Sequence, residues 1–571
     1  MKFSVLKFLL SLACALAVTF VSTGCDSEET SEPILKTCSE TTCGQGGRCD
    51  DSTGALLCFC NRGYDGNRCQ FCADGFEEDG AGKCRAICDE GAQDNDSDGL
   101  CAPACAPGAC GEHAQCDDAS GEVVCSCDGG YQDNDGDGVC APACALDTCG
   151  AHGQCDDASG EAKCTCDQGY IFYTDTCVDA ATLSSWTLMV FLNGDNNLCD
   201  YSDEDVTEMM SGLTANGATR INLIVLHDRE GALECSGSGA TKLYRIANGT
   251  KETLDHDGAI FSGSEADMGD WNVLKKFGVW AIENYPAQRY GLVLWNHGAG
   301  WKKDGGLPRP LFKGFSNDDH GNYDGIELSN GDYGKALQAM VNAAGRKLDL
   351  VGFDACLMGM YEVATTTSNY ADYLVASEET VPAEGWAYDV FLRKLSSNPD
   401  MGPIPLGKEI VDSYANDSTY NDTLSLTDLT SMGELHPKVS AFANALKNSL
   451  TTHKSTITSL RNQTKYYTED SHIDFQHFAE LIAAKSSLPT ELKSSANDLI
   501  AQLKKSILLN RTNSYSYYGY VDNSNSNGMA IWFPTSLSSS SWDTYVRSDL
   551  TRYETTWGSV STWASFLDAY L

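Results

Sequence analysis

Apolar and polar positions change rhythm along this chain, and the change divides it. Beyond about residue 184, short continuous apolar runs alternate with segments whose apolar residues recur every three to four positions. The runs 186–192, 221–227, 292–296, 348–353, 373–376 and 529–533 read as buried strands. The segments 204–213, 271–283, 333–344 and 357–366 read as helices between them. A long, mainly helical stretch is expected over 404–509. Strands alternating with helices predict an α/β domain with a mostly parallel sheet over 184–571. Ligands in such sheets bind beyond the carboxyl ends of the strands.

Before residue 184 the rhythm is lost and cysteine takes over. Of 27 cysteines in 571 residues, 24 lie in the first 177. Residues 1–24 carry Lys2 and Lys7 ahead of an apolar run at 8–21, the pattern of an export signal and short for a membrane span. The run ends in Ser22-Thr23-Gly24-Cys25, similar to a bacterial lipobox, with Ser22 where an aliphatic residue is usual. This predicts a lipid-modified Cys25 as the mature N-terminus, followed by a flexible Ser/Glu/Thr-rich tether over 25–37. The protein is then exported and either membrane-anchored, exposed at the cell surface, or secreted.

An exported chain meets an oxidising compartment, so the 22 cysteines of residues 38–177 predict disulfides rather than zinc sites. Cys38, Cys43, Cys49, Cys58, Cys60 and Cys69 are spaced C-x4-C-x5-C-x8-C-x-C-x8-C, and the pattern returns from Cys105 to Cys140 and from Cys144 to Cys177 with longer last gaps. It resembles the EGF-like module, with modules at 38–69, 102–140 and 141–178 and a degenerate cysteine-rich unit at 70–101. The resemblance implies pairing of first with third, second with fourth and fifth with sixth cysteine. Asp94, Asp96 and Asp98 precede Gly99, and Asp133, Asp135 and Asp137 precede Gly138. This D-x-D-x-D-G spacing gathers carboxylates as a structural Ca2+ site wants, although the downstream Glu of a full EF-hand loop is missing. A solvated acidic loop is the alternative.

The formal net charge is −41. Residues 26–178 hold 31 acidic against 7 basic residues, so the cysteine-rich segment supplies more than half of it. Such a charge excludes general nucleic-acid binding and favours basic polypeptide partners.

Two strand ends in the large domain carry chemistry. One apolar run breaks into Asn296-His297-Gly298-Ala299-Gly300, and another delivers Asp354-Ala355-Cys356 to an expected helix start. A helix N-terminus lowers a thiol pKa, and a nearby histidine moves protons. If Cys199 pairs with Cys235, Cys356 is the thiol left over. A packed core thiol and a turn histidine remain the alternatives on pattern alone. No G-x-S-x-G or H-E-x-x-H occurs, which speaks against a serine hydrolase or a metallopeptidase.

Four ordered blocks then carry a resemblance: WTLMVFLNGDNNL at 186–198, LVLWNHGAGW at 292–301, LVGFDACLMGMYEVA at 350–364 and SEETVPAEGW at 377–386. Together with NGMAIWFP at 527–534, they resemble the clostripain family of cysteine peptidases. The resemblance implies a caspase-haemoglobinase fold and a thiol endopeptidase that needs no cofactor for catalysis. It implies Cys356 as nucleophile, His297 as acid/base and an oxyanion hole from the backbone N–H groups of Gly298 and Cys356. Asp354 would take substrate Arg, with Lys second, and Glu378, Glu379 and Glu384 could line the same pocket. Self-cleavage is expected in the loop holding Lys302, Lys303, Arg309 and Lys313. Some relatives depend on calcium. The acidic run Asp318, Asp319, Asp324 shows no ligand spacing, and no site is assigned there. The rival reading is a surface adhesion protein that binds through its EGF-like modules and carries an inactive peptidase domain.

Overall fold

The computed structural model describes residues 163–571 except 174–175, 214–219, 230–238, 302–313, 323–324, 418–421, 517–518 and 536–561. N-terminal to these it describes 38, 43, 46–51, 56–78, 83–88, 92–93, 101–103, 110–111, 113–117, 124–128, 131–133, 140–142, 144 and 149–156. The signal, Cys25 and the tether lie outside the described residues, as do Asp94, Asp96, Asp98, Asp135 and Asp137, whereas Asp133 is described and exposed. Among the described residues, no helix is long and apolar enough to cross a membrane.

Two compact units result, residues 1–143 with 157–161 and residues 144–156 with 162–571. In the first, two-stranded hairpins are tied by disulfides. Cys38 joins Cys49, Cys43 joins Cys58 and Cys60 joins Cys69, the first-to-third, second-to-fourth, fifth-to-sixth pattern. Cys72–Cys84 and Cys88–Cys101 close the degenerate unit. In the next copy Cys110–Cys125 and Cys127–Cys140 follow the same pattern. The last copy repeats it in Cys144–Cys155, Cys149–Cys164 and Cys166–Cys177. That copy belongs to the larger unit, where the Tyr173 hydroxyl donates to the Glu283 carbonyl at 2.8 Å.

The larger unit is built on a nine-stranded sheet. Its parallel centre runs β2 (Ile221–Arg229), β1 (Trp186–Gly194), β5 (Tyr290–Trp295), β6 (Leu348–Asp354) and β7 (Ala371–Ala376). Antiparallel strands flank it on both sides. These are β3 (Lys242–Ala247) and β4 (Thr250–Thr253) beyond β2, and β8 (Thr423–Asp428) and β10 (Ile507–Thr512) beyond β7. The expected mostly parallel sheet is present, with antiparallel strands added at both margins. Every residue of β1 is buried, as a strand covered on both faces requires.

Alternate side chains along each central strand feed opposite layers. Met189, Phe191, Leu292, Leu294, Val351 and Phe353 enter a core with α2 (Trp271–Asn284), α3 (Asp332–Ala344) and α4 (Tyr361–Thr367). Leu188, Val190, Val225, Trp295 and Leu350 enter another with α1 (Cys199–Gly212), α5 (Tyr388–Ser397) and α6 (Pro403–Asp417). The first core continues into α7 (Met432–Arg461), α8 (Phe475–Ala484), α9 (Thr490–Ser506) and α10 (Trp563–Tyr570).

Three expectations are corrected or refined here. The span 404–509 is mainly helical as expected, but β8 interrupts it and joins the sheet. Leu424 and Leu426 are buried there, but so are Thr423, Ser425 and Thr427, and Ser425 Oγ bonds the Gly528 carbonyl at 2.8 Å. A strand with small polar residues buried on one face carries a weak period-2 signal. The run 529–533 forms β11 (Ala530–Trp532), which pairs with β9 (His472–Asp474) outside the main sheet. The helix expected from 357 starts only at Tyr361, because Leu357 adopts φ 63 and breaks the helical path.

Candidate active site

Strands β5 and β6 lie side by side and end together, so the residues leaving their carboxyl ends meet. Asn296 donates its backbone N–H to the Asp354 carbonyl at 3.3 Å. Two residues later Gly298 packs against the backbone of Cys356. A Cβ on Gly298 would lie 2.2 Å from the Cys356 carbonyl oxygen, so the close approach of the two loops needs glycine there. The structure thus brings together His297, Gly298, Asp354 and Cys356.

Cys356 is the free cysteine among the described residues, and Cys199 is disulfide-bonded. The thiol sits in the turn between β6 and α4. The Val381 N–H donates to its sulfur at 3.3 Å. Burial pushes the thiol up to about 11, with the Val381 N–H partly opposing. The expected thiolate-favouring helix terminus is therefore corrected, because α4 begins five residues later and desolvation governs the thiol.

His297 is half-buried, and burial pulls its imidazole down to about 4. Thiol and imidazole are both neutral at pH 7. His297 Nε2 meets Asn197 Oδ1 at 2.8 Å. An amide oxygen only accepts, so the ring proton sits on Nε2 and Nδ1 carries the basic lone pair. The Asn197 loop is fixed in turn. The Asn317 carbonyl accepts from Asn193, Asn196 and Asn296 side chains at 3.0, 2.9 and 3.1 Å. Asn197 lies inside the block NGDNNL, but nothing in the sequence alone tells which of its three asparagines faces the histidine.

Asp354 ends β6 on the opposite face of the sheet from Phe353, almost fully buried. Its Oδ2 accepts from the Trp386 N–H and the Tyr388 hydroxyl, both at 3.0 Å. Gly352, two residues earlier, makes room for this wall, since a Cβ there would lie 2.5 Å from Trp386. Burial holds the Asp354 carboxyl up at about 7. A second carboxylate, Asp205 of α1, faces the same spot and was not foreseen. A Cβ on Gly385 would lie 2.9 Å from Asp354 Oδ2 and 3.3 Å from Asp205 Oδ2. The Trp295 indole donates to Asp205 at 2.6 Å, and burial together with Asp354 pushes its carboxyl well up.

Two of the three glutamates expected near this pocket point elsewhere. Glu378 is buried against Tyr467, whose hydroxyl donates to it, and Glu379 accepts from the Thr380 and Thr468 N–H groups. Glu384 is exposed. The loop with Lys302, Lys303, Arg309 and Lys313 lies outside the described residues.

The sequence model of the Clostripain family matches residues 190–570. The chain is 26% identical over 407 residues to the clostripain of Hathewaya histolytica, spanning 61% of this chain and 74% of the relative. Among solved structures it is similar to a secreted C11 cysteine protease from Bacteroides thetaiotaomicron in complex with an irreversible peptide inhibitor. That likeness has 22% identity and a TM-score of 0.49, over 66% of this chain and 99% of the other. An inactive zymogen C11 protease from Parabacteroides distasonis gives 20% identity and a TM-score of 0.46, over 66% and 97%. The family match runs from β1 to α10 and covers both strand ends that meet at Cys356, so the chain belongs to the clostripain family and is a cysteine endopeptidase.

Proposed function

We propose that Cys356 and His297 form the catalytic pair of an exported endopeptidase that cleaves after Arg, with Lys second. The observation that carries this is the close approach of Gly298 to Cys356, which sets the histidine loop against the one free thiol among the described residues. With both groups neutral at rest, His297 Nδ1 takes the thiol proton as sulfur attacks the scissile carbonyl. The imidazolium then gives that proton to the leaving amine. The resulting thioester is hydrolysed by a water that the neutral imidazole deprotonates. The Gly298 and Cys356 N–H groups are the donors for the oxyanion. The close approach of Gly298 to Cys356 supports this choice of donors.

Asp354 supplies the charge for a basic side chain before the cleaved bond. A guanidinium offers a planar fork to a carboxylate, which favours Arg over Lys. Self-cleavage in the 302–313 loop, between the histidine and cysteine strands, would leave two pieces held by the β5–β6 pairing. The dense disulfides require an oxidising compartment, and Cys25 would tether the enzyme to a membrane through lipid. The EGF-like modules and the degenerate unit then act as a stalk.

The test is hydrolysis of Arg-, Lys- and Ala-terminated fluorogenic peptides by the full chain and by Cys356→Ala. Arg cleaved fastest, no activity in the variant and a variant that stays in one piece support the reading. Equal rates on Arg and Ala would end the basic-pocket assignment, and a nicked Cys356→Ala protein would end self-processing. Fatty-acid labelling that disappears in Cys25→Ala checks the anchor.

A further inference from the structure

We propose that Asp205 of α1 is a second specificity residue, which grips the substrate guanidinium together with Asp354 and makes the enzyme choose Arg over Lys. This inference rests on the basic-pocket reading of Asp354. Asp205 lies in the middle of α1, where a short acidic side chain weakens a helix. It is nevertheless only 1% exposed, and Asp354 is 3% exposed. Gly385 runs past both of them at φ 65, a conformation that suits glycine. A Cβ there would lie 2.9 and 3.3 Å from the two Asp354 oxygens and 3.3 Å from Asp205 Oδ2. The space of one missing methyl group therefore touches both carboxylates.

Hydrogen bonding leaves half of each carboxylate open. The Trp295 indole donates to Asp205 Oδ2, and the Trp386 N–H and Tyr388 hydroxyl both donate to Asp354 Oδ2. Among the described residues, neither Asp205 Oδ1 nor Asp354 Oδ1 accepts a hydrogen bond. The same residues offer the pair no basic side chain. Arg393 of α5 pairs with Asp389 on its own helix at 2.8 Å. The charged groups that act on Asp205 are Asp354, Glu208 and Glu204, all of them acidic. Two buried carboxylates with no cation between them repel each other. A positive group with several N–H donors satisfies both open oxygens at once.

A guanidinium fits that description better than an ammonium. Its five N–H donors diverge in one plane, so one edge meets Asp354 while another meets Asp205. An ammonium gathers its donors on one strongly hydrated atom, and both carboxylates lie out of water. The second carboxylate therefore adds more to the binding of Arg than of Lys. Its place in the site is fixed by Trp295, the last residue of β5, two positions before His297.

The experiment compares kcat/KM for Arg-, Lys- and Ala-terminated peptides in the full chain, in Asp205→Asn and in Asp354→Asn. An asparagine carbonyl keeps the acceptor for Trp295 and removes only the charge. Asp205→Asn should lower Arg cleavage about tenfold and Lys cleavage less than about twofold, so that the Arg/Lys and Arg/Ala ratios both fall. Its melting temperature should be no lower than the parent's. Asp205→Ser gives the same comparison if Asp205→Asn does not fold. An Arg/Lys ratio within about twofold of the parent's would overturn the role of Asp205. An equal loss on all three peptides would also overturn it, since that is what a merely structural residue produces. Arg preference lost in Asp354→Asn but kept in Asp205→Asn would leave the basic pocket standing and remove Asp205 from it. Arg preference kept in both variants would end the pocket itself.

Discussion

The two parts of this chain use cysteine and carboxylate in opposite ways. Among the described residues before 186, the buried hydrophobic positions are all cysteines: Cys43, Cys69, Cys84, Cys110, Cys140, Cys149 and Cys177. Small modules bury too little apolar surface to hold themselves, and cross-links replace the missing core. The peptidase part instead packs two apolar layers against a sheet and keeps Cys356 unpaired. Carboxylates follow the same division. Glu77 and Asp65 of the modules lie in water, whereas Asp205, Asp354, Glu378 and Asp474 are buried with their carboxyls pushed up. Only a part with a core can place a charge or a thiol out of water, and only there do these groups acquire unusual chemistry.

The sharpest way to break this comparison is to exchange the treatments. Cys356→Ala should lower kcat by about 10³-fold or more while moving the melting temperature by less than about 2 °C. A mild reductant should unravel the modules, seen as new protease-sensitive sites before residue 144, and leave peptide hydrolysis intact. Modules that survive reduction, or activity lost with them, would show that the two parts are not independently held.

Asp354→Asn comes next, with kcat/KM for Arg peptides falling about 10²-fold and for Ala peptides little. Its pH profile carries the sign. Asp354 must be ionised to hold a cation and is raised to about 7, so Arg cleavage should climb through an acid limb near pH 7. His297, at about 4, is already neutral across that range and cannot give the limb. In Asp354→Asn the limb near 7 should vanish. An unchanged limb would assign it to another group.

Much of this was legible in the sequence, and the failures have physical reasons. The central strands are continuous apolar runs, so β1, β2, β5 and β6 were found within three residues at each end. Cysteine spacing marked the modules, and the His297 and Cys356 loops stood out because chemistry follows an apolar run. Strands β3, β4 and β10 were missed because a margin strand needs few apolar residues, and β8 because Thr423, Ser425 and Thr427 fill one of its buried faces. Asp205 and Asn197 were missed because a helix face and a turn give no sign of what they meet across the fold. Desolvation at Cys356 was missed because the burial of a turn thiol depends on how the fold closes over it, which the order of residues does not show.

Asn197→Ala tests that cross-fold contact and should cost less than either charge. Losing one hydrogen bond that orients His297 should lower kcat about tenfold and leave KM nearly unchanged. A variant with parental kcat would show that Asn197 does not position the imidazole.

The smallest expected effect concerns stability alone. Tyr467 donates its hydroxyl to both Glu378 and Asp474, the latter at 3.1 Å, which pins the loop after β7 to β9. Burial raises both carboxyls above their unfolded values, Glu378 furthest. A raised carboxyl binds its proton more tightly in the folded state. Its stabilising share is therefore complete below the unfolded pKa near 4 and is lost as pH rises through the folded value. Glu378→Gln removes that titration and keeps the shape. The variant should match or fall slightly below the parent at pH 5 and melt about 1–3 °C above it at pH 8. Equal pH slopes for parent and variant would mean that Glu378 does not change its protonation on folding, and that this buried pair differs from the exposed acids of the modules in position only.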